Sequence, residues 1–164
     1  MEYDNTCVRR QDRLLDSESA LTLLREGEYG VLSLCDAGQP YGLPVNYVWD
    51  GASSLYIHCA PQGRKLRLLA ANPRASFCVV GRTQVLSRQF TTEYESIVAC
   101  GAAYPVEDLQ EIRRALTLLI DKYSPHDRDT GLVYLEKSLS RTRALRLDIE
   151  TLSGKCKKKI PAIK

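Results

Sequence analysis

Long apolar runs are missing from this sequence. Nothing approaches the ~20 consecutive apolar residues that a membrane helix needs, and the opening residues, Met1 to Arg13, contain no apolar segment of the kind a signal peptide carries. The expectation is a cytoplasmic chain that makes no use of a membrane. Cysteines in metal or redox spacing are missing as well. The six cysteines, Cys7, Cys35, Cys59, Cys78, Cys100 and Cys156, include no two within four residues of each other, so there is neither a CxxC motif nor half of a zinc site. Several lie in apolar, strand-like runs, where a reduced thiol behaves as a small hydrophobe. They read as buried thiols of a reducing compartment, with no metal expected. Phosphate loops and hydrolase elbows are absent: there is no GxGxxG, no P-loop and no GxSxG. Gly154-Lys155 lacks the upstream glycine and the following Ser or Thr that a phosphate loop needs. Only two histidines occur, His58 and His126, and a His58–Cys59 dyad fails because neighbours on a strand point to opposite faces. Hydrolysis therefore has no evident nucleophile.

What is present fits one domain spanning 1–164. Apolar residues make up 44% and charged residues 26% of the chain, an ordinary balance for a globular protein. The net charge of +3 is a tail and not a face. Residues 155–164, KCKKKIPAIK, hold five of the 23 cations and no acid, leaving 18 cations against 20 anions elsewhere. Aromatic residues do not interleave with Lys and Arg, which argues against nucleic acid as a partner.

The hydrophobic period sets the order of elements. A short amphipathic helix is expected from Asp16 to Glu26, with Asp16 as its cap and Gly27 at its end. Strands follow as YGVLSLC, PYGLPVNYVW and SLYIHCA, joined by turns at Asp36-Ala37-Gly38 and Asp50-Gly51 and so expected to be antiparallel neighbours. A helix opening at Gly63 separates these from ASFCVV and ESIVACGAAYPV. The polar stretch from Gly81 to Tyr94 reads as a long loop or an irregular excursion. Residues 106–123 carry Leu109, Ile112, Leu116, Leu119, Ile120 and Tyr123 on one helical face. Residues 124–140 are ambiguous, with a short helix as one option, and RTRALRLDIE alternates as a closing strand. Six strands with helices at the margins predict a mainly β, α+β fold: an antiparallel barrel, since closure removes exposed edges.

One helix start is unusual. Arg64 and Lys65 follow Gly63 in the first turn, where the helix dipole favours anions, so cations there make electrostatic sense when they meet a negatively charged group. His58 ends the preceding strand, which brings an imidazole, helix amides and two cations toward one pocket. A guanidinium fork and an ammonium together suit a phosphate monoester.

Four ordered segments, PYGLPVNYVW, LYIHCAPQGRKLRLLAANPRASFCV, YESIVACGAAYPVED and LRLDIETLSGK, resemble the pyridoxamine 5'-phosphate oxidase-like flavoproteins, in particular their nitroimidazole-resistance (Nim-type) branch. The resemblance runs from about Arg9 to Lys155. It implies a split β-barrel of the FMN-binding type, a homodimer, and a flavin in a groove at the dimer interface, FMN in the first place with FAD as the larger alternative. By the same resemblance Val45, Asn46 and Tyr47 would line the isoalloxazine, and His58, Cys59 and Ala60 would lie near the ring and ribityl chain. Arg64 and Lys65 would hold the flavin phosphate, and Ser96 would approach from a later strand. Glu95 stands where similar proteins often carry arginine. The implied activity is a flavin-dependent reductase of 5-nitroimidazoles or another small-molecule acceptor, with His58 as the group that donates a hydrogen bond or a proton. A flavin-binding or haem-handling module without turnover and a vitamin B6 phosphate oxidase are the alternatives.

Overall fold

The structure, a computed structural model, describes residues 1–157. Eight strands form a single sheet: β1 (Glu2–Tyr3), β2 (Gly30–Asp36), β3 (Gln39–Val45), β4 (Val48–Trp49), β5 (Ser54–Cys59), β6 (Arg74–Leu86), β7 (Thr91–Pro105) and β8 (Arg143–Lys157). Four α-helices flank it: α1 (Ser17–Glu26), α2 (Arg64–Ala71), α3 (Leu109–Tyr123) and α4 (Arg128–Ser138). The strand order is β3-β2-β6-β7-β8-β5-β4, all antiparallel, with β1 adding in parallel to β8. The two ends of this path, β3 and β4, are joined through Asn46 and Tyr47 without pairing to each other. The sheet therefore curls toward closure and stops short of it, as in a split barrel.

Four expectations change. PYGLPVNYVW is not one strand: it breaks at Asn46-Tyr47, sending β3 to β2 and β4 to β5, so the three consecutive strands are not all neighbours. The stretch from Gly81 to Tyr94 is not a loop. It continues β6 and β7 outward as a hairpin arm, with Thr83 opposite Tyr94 and Leu86 opposite Thr91. No residue from Gly81 to Thr92 is buried, and a ribbon wet on both faces shows no alternation for the sequence to reveal. The closing strand runs on to Lys157, so the first residues of the supposed basic tail are ordered sheet; the rest of that tail lies outside the described residues. Finally, Cys7 and Cys35 are exposed, whereas Cys59 and Cys156 are buried. Cys35 lies near the end of β2, paired with Pro40 of β3 but one residue past the last that pairs with β6. Within 124–140 the helical option holds, as α4.

Two cores result. Inside the curl, Leu24 of α1 meets Leu32, Tyr47, Leu55, Ile57, Phe77, Ile97 and Leu147, all at most 2% exposed. Outside it, the opposite face of β4, β5 and β8 supplies Val48, Tyr56 and Ala144, which α3 covers with Ile112, Ala115, Leu116 and Leu119. Burial of such side chains contributes about 1.5–3 kcal/mol each. The functional consequence is positional: β5 is covered on both faces along its length, and only its last outward residue, His58, remains exposed.

Candidate functional site

Of the four α-helix starts, those of α1 and α3 are capped by a side chain and those of α2 and α4 are not, and α2 alone of the four has no acid in its first turn. Asp16 caps α1, its carboxylate accepting from the Ser19 amide at 2.8 Å, and Asp108 caps α3, accepting from the Glu111 amide at 3.0 Å. At α2 the cap position is Gly63, with φ of +154°, a conformation that suits glycine and no side chain, and no side chain caps the helix. Its first turn has no acid and carries Arg64 and Lys65. The Arg64 guanidinium is held 4.3 Å over the Tyr41 ring of β3, which pre-positions it at little cost in flexibility. The positive end of α2 thus carries two cations, Arg64 on the side of β3 and Lys65 on the side of His58 and Cys59, a composition that suits an anion such as a phosphate monoester.

Lys65 links this end to the strand beside it. Partial burial of the ring lowers the His58 pKa, and the nearby Lys65 charge lowers it further. Both favour the neutral imidazole, which can donate a hydrogen bond. Burial raises the Cys59 thiol, and Lys65 and Arg143 offset only part of that. With its side chain 6% exposed and turned into the barrel, Cys59 is an inert thiol.

On its other side His58 borders a cavity of about 460 Å³ between the end of β5 and helices α3 and α4. Leu116, Leu119, Ile120 and Leu135 supply its apolar lining, and Asn46, His58 and Thr142 are among its polar wall. Asn46, exposed at the β3–β4 corner, is thus brought together with His58 as expected.

The remaining expected residues fall into different settings. Val45 is half-buried and packs against the barrel core. Tyr47 is fully buried, its ring edge-on to Phe77 at 4.8 Å and its hydroxyl donating to the Leu24 carbonyl at 2.8 Å. Its side chain is closed to a ligand. Ala60 is exposed just past β5. Ser96 is not brought to this site within one chain. Ser96 pairs with Lys155 and His58 with Ala144, so eleven residues of β8 separate their registers, roughly 36 Å of strand contour at ~3.3 Å per residue.

Two residues of the site's supporting frame were not singled out by sequence. Lys122 reaches back from α3 to donate to the Gly27 carbonyl at 2.7 Å, with its Nζ 3.9 Å from the Tyr47 ring centre. Burial lowers its pKa to about 8. The Tyr123 hydroxyl accepts from the Tyr47 amide at 2.9 Å and lies 2.7 Å from the Glu28 carbonyl and 2.8 Å from that of Tyr47, to either of which it can donate. These contacts pin the β3–β4 corner, and with it Asn46, to α3. The available signal was a lysine set between Leu119 and Tyr123 on an otherwise apolar helix edge.

Among the described residues no group of His, Cys, Asp and Glu is arranged to hold a metal, and no helix is long and apolar enough to cross a membrane.

Solved structures share this fold. A candidate 5-nitroimidazole antibiotic resistance protein from Bacteroides thetaiotaomicron superimposes with a TM-score of 0.74 at 19% identity, covering 88% of this chain and 86% of that one. An FAD- and haem-binding protein from Mycobacterium smegmatis gives 0.79 at 22% identity over 94% and 77% of the two chains. The flavocytochrome Anf3 from Azotobacter vinelandii gives 0.78 at 19% identity over 100% and 79%. No functionally curated protein matches the chain in sequence. The family model described as pyridoxamine 5'-phosphate oxidase matches residues 16–156, which takes in every strand of the curled sheet except β1, the uncapped start of α2 and the His58 cavity, and the chain belongs to that family.

Proposed function

We propose that the protein is a flavin-dependent oxidoreductase, a reductase of 5-nitroimidazoles or another small acceptor, that holds FMN between two copies of the chain. The observation that carries the reading is the start of α2: an uncapped, cation-bearing helix end beside His58 that is complete when a phosphate monoester occupies it. The fold is shared with structures described as binding FAD and haem and with a candidate nitroimidazole-resistance protein, and this supports the flavin reading over other phosphate esters. FAD would use the same anchor and extend outward.

The flavin, when bound, supplies the redox chemistry. The chain's own residues do the rest. Arg64, Lys65 and the α2 amides fix the phosphate, Asn46 and the backbone at Val45–Tyr47 border the ring, and Ala60 leaves room for the ribityl chain. When bound and reduced, the flavin would supply two electrons at a time, so three reduced flavins and six protons from solvent would take one nitro group to the amine, its two oxygens leaving as water. As those oxygens gain charge, the neutral His58 N–H is positioned to donate a hydrogen bond to them. The separation of Ser96 from His58 favours a homodimer, in which Ser96 would serve the flavin bound by the other copy.

Fluorescence titration with FMN tests the anchor. Arg64→Ala combined with Lys65→Ala removes at least two charge-assisted contacts and is expected to weaken binding by roughly 3 kcal/mol or more. Unchanged affinity would refute the assignment. Anaerobic mixing of a 5-nitroimidazole with more than three equivalents of chemically reduced protein, followed by mass analysis, tests the reaction. The amine is expected from the wild type, and His58→Ala should keep its flavin and lose much of the rate. Conversion no faster than with free reduced flavin would favour a binding module without turnover.

A further inference from the structure

The cavity beside His58 has a property that the flavin reading does not require. None of its eleven lining residues is Asp, Glu, Lys or Arg, in a chain in which such residues make up 26%. Its lining is four aliphatic side chains together with groups that hydrogen-bond without carrying charge: Asn46, Ser124, Ser138, Thr142 and two tyrosines, with His58 favoured in its neutral form by its surroundings. Its volume of about 460 Å³ lies in the range of small-molecule pockets, and an apolar bed with a few convergent polar groups is their usual character. A phosphate or carboxylate seated there would lose water and meet no cation in the lining, with Lys65 acting only from beyond His58, whereas an uncharged ring with one or two oxygen acceptors would lose little and gain the His58, Ser124 or Thr142 donors.

The outer wall is also specific. Of the eleven residues of α4 only Leu135 and Ser138 are buried, and both face the cavity. At Gly131 a Cβ would lie 2.8 Å from Ile120 Cγ2, so the glycine is what lets α4 close against α3 without forcing Ile120, itself a lining residue, into the cavity.

We propose that the α3–α4 cavity is the chamber for the acceptor and selects uncharged, ring-sized acceptors over phosphorylated or carboxylated ones, with α4 as the wall that sets this selectivity. Its role as an acceptor chamber rests on the flavin-dependent reading above; its preference for uncharged rings does not. The same lining weighs against a vitamin B6 phosphate as substrate of this chain.

Equilibrium dialysis of 4-nitrobenzyl alcohol and 4-nitrobenzyl phosphate, the same ring without and with an anion, reads the preference directly. It is run on wild-type protein saturated with FMN and on flavin-free protein carrying Arg64→Ala with Lys65→Ala, which keeps the phosphate ester from binding at the α2 anchor. In both, the alcohol is expected to bind at least about tenfold more tightly, the scale of effect expected for desolvating an unpaired anion. Ser124→Lys, at a half-exposed position of the lining, should narrow that ratio by about tenfold or reverse it. Ser138→Leu, which projects a larger side chain into the cavity, should weaken the alcohol, with circular dichroism confirming the fold. Equal binding of the two probes, or no effect of either substitution on folded protein, would overturn the proposal. Failure to bind FMN would refute the flavin reading and leave the charge preference to be decided in the flavin-free arm.

Discussion

At the scale of single residues, Lys122 is the clearest case of a charge placed where it is costly. Its ammonium is half-buried against the Tyr47 ring with one carbonyl partner and no carboxylate among its described contacts. Its pKa falls to about 8 by burial, against an ordinary value near 10.4 in an unfolded chain. Between those two pH values the unfolded chain holds a proton that the folded one has released, so folding stability is expected to rise with pH from about 8 toward 10. Lys122→Met should flatten that rise. Chemical denaturation of both proteins at successive pH values checks it, and a parallel pH dependence in the two would show that the lysine is charged throughout. His58 shows a similar logic nearer neutrality: a sequence shows the unperturbed imidazole, and only the fold supplies the partial burial and the Lys65 charge that favour its neutral form. Tyr47 makes the complementary point. It stands in a motif strand beside Asn46, but the turn that exposes Asn46 drives the Tyr47 ring inward, an alternation that looks continuous on paper because the strand break leaves no Gly or Pro signal.

Elements were legible to the extent that one of their faces is dry. The helix faces of α1 and α3 and the strands β2, β5 and β8 carry the 3.6- or 2-residue period because one side meets a core. The arm of β6 and β7 does not, and its residues are held by Thr- and Val-rich pairing together with the Lys157 ammonium of β8, which donates to the Thr91 hydroxyl. That independence has a testable consequence. Replacing Gln84–Glu93 by Asn-Gly joins Thr83 to its partner Tyr94 through a two-residue turn. The monomer is expected to keep its stability to within about 1 kcal/mol, since no buried side chain is removed. Denaturant unfolding gives the comparison. A much larger loss would mean that the arm, with Phe90 97% exposed at its tip, is covered by a second copy in solution. By contrast Asp108→Ala, which uncaps α3, should cost about 1 kcal/mol and loosen the wall on which the cavity depends.

For the whole molecule, the separation along β8 between Ser96 and His58 turns the proposed dimer into an experiment. If each flavin is bound by Arg64 and Lys65 of one copy and approached by Ser96 of the other, two defective variants should repair each other. Protein carrying Arg64→Ala with Lys65→Ala, mixed with Ser96→Trp protein and allowed to exchange subunits, should regain FMN binding, because every mixed dimer contains one intact site. Neither variant alone should bind, and light scattering should report dimers in all three samples. An absence of recovery in mixed dimers would place both sets of residues on one chain's site or remove Ser96 from it.

The position of β8 reaches beyond the binding site. This single strand pairs with β7, β5 and β1, and every one of those partners precedes it in the chain. Until it is in place the β2-β3-β6-β7 sheet and the β4-β5 hairpin have no hydrogen bonds to one another, and the outer core under α3 lacks Ala144. A chain still emerging from the ribosome therefore carries two open edges, those of β5 and β7, with their apolar faces unpaired. The nascent protein passes through a window of aggregation that closes only when the fifteen residues of β8 zip between them. Slow, non-local pairing of this kind makes yield of soluble protein depend on synthesis temperature and chaperone supply more than on the stability of the finished fold.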